Sequence, residues 1–420
     1  MRTRLPIFLA AMLVVTSAAL GAPEPPRSGH PVFDRAVQLV LDNFYDARPL
    51  ERFAEAVRRE VTDPRAPLTA ASSQARVDKA IETVLASLQA SHTGRFKQDT
   101  IDYYELADIF RFAIRGDMRR LFPPDGEASY PGIGMVATEG NGLWFASDVY
   151  DGSPAAKAGI LTGDEILSVD GKPYHEIGSF EGKEGKTVEV RLRRRPGAEP
   201  VAVTVAVERL RPLPMFEKAI ADSALIFDRD GRKIGYIRLW TLAAPGSMDA
   251  VAEALGEGRL KEADGLVIDL RGRWGGGSSD AAELFVGKTP PFRLVPRSGE
   301  QQLANVRWHK PVVGLIDEGT RSGLEVFAYA LKANGIPLVG ARTAGALLAG
   351  RAYLLPDDSL LELAVTDAVI GEDVRLEGSG VLPDLPVPFS LPYAAGADPQ
   401  RAAAIEEMRR ILASGDARRG

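Results

Sequence analysis

Two glycine-rich turns, each directly after a short apolar run, constrain the fold of this chain most strongly. Residues 265–277 read GLVIDLRGRWGGG, and residues 312–325 read VVGLIDEGTRSGLE. Aliphatic and β-branched runs of this length are typical of strands that are buried on both faces, as in parallel sheets. After the second turn, apolar residues recur at helical spacing: Leu324, Phe327, Ala328 and Leu331. The second segment therefore predicts a strand that turns directly into a helix.

Ser322 lies at that turn from strand to helix, and Gly323 follows it. A serine in this position has an exposed hydroxyl, and the unpaired N–H groups of the first helical turn lie beside it. Such N–H groups can stabilise the oxyanion that forms when a hydroxyl attacks a carbonyl carbon. The pattern therefore predicts Ser322 as a nucleophile. The alternative is that Ser322 only caps the helix, because serine is favoured at that position.

The chain divides into segments with different patterns. Residues 22–125 carry apolar residues at helical spacing, whereas residues 129–210 contain short strand-like runs between Gly, Asp and Pro turns. Residues 214–395 alternate strands with helices, which predicts a mostly parallel sheet with crossover helices. Residues 396–420 predict a last helix, over 400–414, and a charged tail. The expected fold is an α/β domain with a β-rich domain and a helical N-terminal arm before it.

The first 21 residues have the pattern of a secretory signal peptide. Arg2 and Arg4 precede an apolar run, and small residues follow it up to Gly21. We therefore expect a protein exported to the periplasm or the extracellular space; an uncleaved membrane anchor is the alternative. The chain has no cysteine, which excludes disulfides, thiol catalysis and thiolate metal sites. Its net charge of −6 argues against a general role in nucleic-acid binding.

Several motifs together resemble the C-terminal-processing, or tail-specific, serine proteases. DLRGRWGGG at 269–277 is similar to their Asp-Leu-Arg-Gly-Asn-Pro-Gly-Gly signature, and DEGTRSGLE at 317–325 is similar to their nucleophile segment. LVGARTAG at 338–345 and GSGVLPDLPV at 378–387 resemble later elements of that catalytic domain. Residues 132–173, which begin GIGMVA, resemble the PDZ domain of those proteases. The resemblance implies a serine endopeptidase domain, over 214–395, after a PDZ domain, over 129–210.

The sequence departs from that family where its members carry a lysine as general base. Ala346 occupies this position, and a serine without a base is a poor nucleophile at neutral pH. Ser91-His92-Thr93-Gly94 is similar to the Ser-His element of the tricorn core protease and its relatives. That resemblance implies His92 as general base, Ser91 as its helper and Glu377 as the acid that orients the imidazole. Glu377 is expected to contact His92 directly or through Ser91, and Glu372 and Asp373 are alternatives to it.

The remaining site predictions concern backbone groups. Gly323, with Gly275 or Gly276, is expected to supply the N–H groups of an oxyanion hole. In the PDZ-like region, Gly132, Ile133, Gly134 and Met135 are expected to bind the C-terminal carboxylate of a peptide, unless this region is only a rigid spacer. We expect polypeptide substrates and neither a metal nor an organic cofactor. The alternatives are a non-catalytic protein that binds peptides or apolar ligands on the same fold, and an enzyme that acts on esters or other acyl compounds.

Overall fold

The computed structural model describes residues 25–287, 293–294, 297, 302–303 and 307–417. The predicted signal peptide, residues 1–21, lies outside them. The helices are α1 (Pro31–Asn43), α2 (Leu50–Thr62), α3 (Gln74–Ala86), α4 (Ile101–Ile109), α5 (Met118–Leu121), α6 (Pro154–Lys157), α7 (Pro212–Asp222), α8 (Ser247–Gly256), α9 (Glu283–Val286), α10 (Gly323–Ala333) and α11 (Pro399–Ala417). In the described ranges, none of these helices has the length and apolar character needed to span a bilayer.

The strands fall into several sheets. In chain order they are β1 (Gly94–Phe96), β2 (Tyr130–Gly132), β3 (Met135–Gly140), β4 (Leu143–Val149), β5 (Glu165–Val169), β6 (Thr187–Arg193), β7 (Val201–Ala206), β8 (Glu208–Leu210), β9 (Leu225–Arg229), β10 (Arg232–Arg238), β11 (Gly265–Asp269), β12 (Arg293–Leu294), β13 (Gln302–Leu303), β14 (Val312–Ile316), β15 (Leu338–Gly340), β16 (Ala349–Leu354), β17 (Leu360–Thr366) and β18 (Leu385–Pro386).

The described part of the chain forms two compact units, and the first consists of residues 25–37 and Asp46–Leu88. In it, α2 and α3 pack together through the apolar faces that the helical spacing predicts. Ser73 caps α3 by accepting a hydrogen bond from the N–H of Arg76. The Arg76 guanidinium also binds Glu60 of α2 at 2.6 Å.

The second unit, Gln38–Tyr45 and Gln89–Gly420, contains the β-rich domain and the α/β domain. The β-rich domain is a five-stranded antiparallel sheet in the order β3-β4-β5-β6-β7, so β3 is an edge strand. Its small helix α6 begins with Pro154, and Ser153 caps it. Proline and serine favour these two positions, which is why this short run is helical. The β-rich prediction for this region is confirmed.

The α/β domain contains a six-stranded sheet in the order β18-β15-β14-β11-β10-β9. Every neighbouring pair is parallel except β9 with β10 at the edge. The residues of β11 and β14 are all buried, as their apolar runs predict. Helix α11 covers one face of the sheet with Ala404, Ile405 and Met408, and it is longer than the predicted 400–414. The mostly parallel α/β prediction is confirmed.

A third sheet has the order β1-β17-β16. Strand β1 lies within the N-terminal arm and pairs antiparallel with β17, with Gly94 opposite Glu362. Three residues are too few for a recognisable pattern, so their strand conformation depends on pairing with β17. Ser91 and His92 lie just before β1, so this pairing holds them close to β17.

Candidate active site

The turn between β14 and α10 holds Ser322 in an unusual backbone conformation. Its φ and ψ angles are 55° and −124°, although positive φ is costly for a residue with a side chain. The N–H of Ser322 donates to the carbonyl oxygen of Ala346 at 3.0 Å and to the Glu325 carboxylate at 3.2 Å. Ser322 therefore lies directly before α10, on a strained turn of the kind that exposes a nucleophile.

Glu325 holds this turn against the loop that follows β15. Its carboxylate is fully buried and accepts hydrogen bonds from the Thr343 hydroxyl at 2.6 Å and from the N–H groups of Gly345 at 2.8 Å and Ala346 at 2.7 Å. Glu325 lies in the first turn of α10, where the helix dipole favours acids, and its contacts also hold the loop after β15 in place. The position where the related proteases are expected to carry lysine therefore lies beside Ser322, and it offers only the methyl group of Ala346.

The glycines of the first turn, Gly275 and Gly276, lie against Ser322 and Gly323. A Cβ atom on Gly275 would be 2.4 Å from the Gly323 nitrogen, and one on Gly323 would be 2.0 Å from the Gly276 oxygen. The Gly275 carbonyl accepts a hydrogen bond from the N–H of Leu242 at 3.0 Å. Because the peptide is trans, the N–H of Gly276 points away from Leu242. Gly323 is the first residue of α10, so its N–H has no partner within the helix.

Glu105 of α4 fixes the residues directly before these glycines. It is fully buried and accepts hydrogen bonds from Trp274 Nε1 at 2.5 Å, Arg273 Nε at 3.0 Å and the Tyr150 hydroxyl at 3.0 Å. Burial raises the pKa of Glu105, and Arg273 opposes that shift. The arm, the β-rich domain and the glycine turn thus meet at one buried acid.

His92, Ser91 and Glu377 form a continuous hydrogen-bonded chain. The Ser91 hydroxyl lies 2.9 Å from His92 Nδ1 and 2.9 Å from Glu377 Oε2. The other Glu377 oxygen accepts the N–H of Ser91 at 2.9 Å, and the N–H of Leu347 donates to Oε2 at 2.8 Å. The structure thus brings Glu377 to Ser91, whereas Glu372 and Asp373 are exposed in the preceding turn.

This chain of hydrogen bonds determines which nitrogen of His92 carries the proton. A carboxylate only accepts hydrogen bonds, so the Ser91 hydroxyl donates its one proton to Glu377. The Ser91 oxygen must then accept from His92, which assigns the proton of the neutral imidazole to Nδ1. His92 Nε2 is left with a lone pair, and this is the nitrogen that a general base needs free.

His92 and Ser322 line the same cavity, which has a volume of about 220 Å³. Among the described residues, no hydrogen bond joins His92 Nε2 to the Ser322 hydroxyl. Burial, together with the nearby charge of Arg321, lowers the pKa of His92 to about 4, so the ring is neutral at physiological pH. Much of the cavity lining is apolar and includes Leu106, Ile109, Phe110, Trp274 and Leu348.

The PDZ-loop residues, Gly132 to Met135, are all buried. The carbonyl oxygens of Ile133 and Gly134 accept hydrogen bonds from the N–H groups of Ala155 at 2.8 Å and Tyr150 at 3.1 Å. These bonds tie the loop to α6 and to the end of β4, directly before the edge strand β3. Peptide binding by this loop stays a prediction.

Four functional candidates were not predicted from the sequence: Glu105, Glu325, Arg321 and Glu362. Arg321 and Glu362 line the cavity with Ser322 and His92. Arg321 precedes Ser322 and lies over the Trp274 ring, 5.4 Å from its centre. Only the position of Arg321 beside Ser322 was a usable signal, because single acids in helices and strands carry no distinctive pattern. No group of His, Asp and Glu residues suited to holding a metal ion occurs in the part of the chain that the structure describes.

Two protein-family models match this chain. Residues 233–387 match peptidase family S41, and residues 145–194 match a PDZ domain.

The chain is similar to two Bacillus subtilis (strain 168) proteins, the carboxy-terminal processing proteases CtpB and CtpA. It is 28% identical to CtpB over 306 residues, 69% of this chain and 62% of CtpB. It is 26% identical to CtpA over 335 residues, 71% of this chain and 69% of CtpA. The match to CtpB thus spans less than two thirds of its length.

A solved structure, the photosystem II D1 C-terminal processing protease, has the same fold. The superposition has a TM-score of 0.50 with 22% identity and covers 89% of this chain and 99% of that one. This structural match supports the fold described above. The match to peptidase family S41 follows the match to a PDZ domain in the sequence, in the order that the sequence motifs predict.

Proposed function

We propose that this protein is an exported serine endopeptidase that cleaves polypeptides through an acyl-enzyme at Ser322. The observation that carries the proposal is the hydrogen-bonded chain Glu377–Ser91–His92, which ends in the same cavity as Ser322. In this proposal, His92 is the general base. It takes the role of the lysine expected in the related proteases, whose position is occupied here by Ala346. The strained turn at Ser322 supports its role as the nucleophile.

In the proposed mechanism, the Ser322 hydroxyl attacks the peptide carbonyl carbon and its proton passes to His92 Nε2. The N–H groups of Gly323 and Gly276 stabilise the oxyanion, and each such donor is typically worth about 3 kcal/mol. The imidazolium then protonates the leaving amine, and the C–N bond breaks. Water, deprotonated by His92, releases the acyl group from Ser322. Substrate binding closes the gap between His92 and Ser322, since catalytic hydrogen bonds often tighten only in the bound complex.

The PDZ domain is proposed to capture free C-termini of substrates. Its edge strand β3 follows the loop 132–135, so a peptide that adds to this strand brings its carboxylate near the loop. A peptide with a free carboxylate should then be cleaved at a lower KM than the same peptide with a C-terminal amide. Equal KM values would favour the rigid-spacer alternative.

Export is proposed from residues 1–21 and is tested by fractionating cells that express the full chain.

The catalytic proposal is tested with an unfolded protein substrate and a fluorophosphonate probe for reactive serines. The wild-type protein should cleave the substrate and be labelled. Ser322→Ala should abolish labelling, and both Ser322→Ala and His92→Ala should lose cleavage by a factor on the order of 10⁴ or more. His309→Ala, which changes an exposed histidine, is the matched control. A folded wild-type protein that is neither labelled nor active would favour the non-catalytic binding protein, and turnover of acyl esters alone would favour the esterase.

A further inference from the structure

Glu362 is a buried acid in the active-site cavity that the proposed mechanism does not use. It lies on β17, is 3% exposed and lines the cavity with His92 and Ser322. Its partners across the sheet are Gly94 on β1 and Ala352 on β16, which offer no side-chain donors. Among the described residues, nothing forms a hydrogen bond or an ion pair with its carboxyl group. A buried acid without a partner is costly, so its presence calls for a reason.

Glu362 lies close to the ring of His92. A Cβ atom placed on Gly350 would be 2.9 Å from Glu362 Oε1 and 3.2 Å from His92 Cδ2. The carboxyl oxygen and the imidazole ring are therefore no more than about 6 Å apart. At that separation in a cavity with apolar walls, a positive charge on the ring and a negative charge on the carboxylate interact strongly.

The other charged groups on the elements around Glu362 have partners of their own. On β1, Arg95 binds Asp357 and the Ser359 hydroxyl; on β16, Arg351 lies over the ring of Tyr353. Asp102 of α4 forms an ion pair with Arg273 and raises the pKa of Glu362, whereas Arg321 lowers it. His92 and Arg321 are therefore the cationic or ionisable neighbours that share the cavity with Glu362.

We propose that Glu362 is a positioning residue whose carboxylate stabilises the imidazolium form of His92 during the reaction. The inference rests on the proposed function. When Ser322 attacks, its O–H bond breaks and an N–H bond forms at His92 Nε2, which leaves the ring positively charged. Glu362 neither gains nor loses a proton in this step; its negative charge only lowers the energy of the charged ring. The imidazolium later returns to neutral by protonating the leaving amine.

The proposal predicts a pH dependence that differs from the titration of His92 itself. Burial lowers the pKa of His92 to about 4 and raises the pKa of Glu362 to about 7. Above pH 4, the neutral base is already present, so further activation must come from another group. As the pH rises through about 7, Glu362 ionises, and kcat should increase on the order of 10- to 100-fold, as expected for two charges about 6 Å apart.

The test measures kcat and KM for one peptide substrate between about pH 5 and pH 9. Wild type should show the rise in kcat near pH 7. Glu362→Gln should lose that rise and stay at the low-pH level of kcat, with KM unchanged, whereas Glu362→Asp should retain the rise. Glu372→Gln, an exposed acid, is the matched control and should behave as wild type.

Three outcomes would overturn the proposal. The first is a rise near pH 7 that persists in Glu362→Gln, and the second is a change in KM with the rise intact, which would make Glu362 a substrate-binding group. The third outcome applies if Glu362→Gln does not fold: a folded Glu362→Asp protein in which kcat no longer rises near pH 7. In each case the wild-type enzyme remains active, so the proposed function stands. An inactive wild-type enzyme would instead remove the proposed function and this inference together.

Discussion

Replacing Glu362 by glutamine should stabilise the folded protein at alkaline pH and leave its stability unchanged in acid. Glutamine has nearly the same shape as protonated glutamic acid, but it cannot acquire a charge. In the folded protein, burial raises the pKa of Glu362 from its ordinary value of 4.5 to about 7. The folded state therefore holds this proton more tightly than the unfolded state does. The contribution of Glu362 to stability is complete below pH 4.5 and is lost as the pH rises to about 7.

The magnitude follows from the two pKa values. Each tenfold difference between the ionisation constants of the folded and unfolded states corresponds to about 1.4 kcal/mol, so full ionisation of Glu362 costs about 3 kcal/mol. The free energy of unfolding of Glu362→Gln should exceed that of wild type by about this amount near pH 8.5, and the difference should vanish near pH 4.5. The lowered pKa of His92 makes stability rise with pH from about 4 to 6.5, but it acts alike in both proteins.

Urea titrations that follow tryptophan fluorescence provide the assay. All four tryptophans of the chain, Trp144, Trp240, Trp274 and Trp308, belong to the unit that contains Glu362, so the signal reports on its unfolding. Glu372→Gln again serves as the control and should differ from wild type by less than about 0.5 kcal/mol at every pH. A difference between Glu362→Gln and wild type that does not change from pH 4.5 to pH 8.5 would refute the reasoning.

Two further substitutions test the site itself. Ser91→Ala should reduce kcat roughly 100-fold with little change in KM, because His92 loses the acceptor that fixes its tautomer; wild-type kinetics would show that Ser91 is not part of the relay. Gly323→Ala should abolish cleavage and lower the free energy of unfolding by about 1–3 kcal/mol, since its methyl group would lie 2.0 Å from the Gly276 oxygen. Gly116→Ala, with open space around it, is the control in the same assays.

The sequence contains enough information for the fold class, because that depends on repeated local patterns. The buried strands β11 and β14 are continuous apolar runs. The glycines in the turns after them indicate positions where two backbone segments lie too close together for a side chain. Gly275 and Gly323 illustrate this: neither site has room for a Cβ atom. The resemblance to C-terminal-processing proteases includes these motifs, and the resemblance to a PDZ domain rests on residues 132–173. Residues 233–387 match peptidase family S41 and residues 145–194 match a PDZ domain, in agreement with both.

The surroundings of the site depend on tertiary contacts that no local pattern reveals. Glu105, Glu325 and Glu362 are each single acids in an element of ordinary composition, and only packing determines that they are buried around the candidate site. The low pKa of His92 has the same origin, because desolvation is a property of the folded cavity. The roles of Ser322, His92, Ser91 and Glu377 stay predictions, although the structure brings the last three into one hydrogen-bonded chain.

The long sequence separation between Ser91 and Glu377 determines when, during synthesis, the hydrogen-bonded chain to His92 can form. Ser91 and Glu377, which share two hydrogen bonds, are 286 positions apart. Strand β1 likewise has no pairing partner until β17 has been synthesised. During synthesis, the imidazole thus emerges early but stays unoriented until nearly the whole polypeptide has followed. Under the proposed function, a nascent chain therefore contains the catalytic residues but cannot cleave peptides until folding is complete.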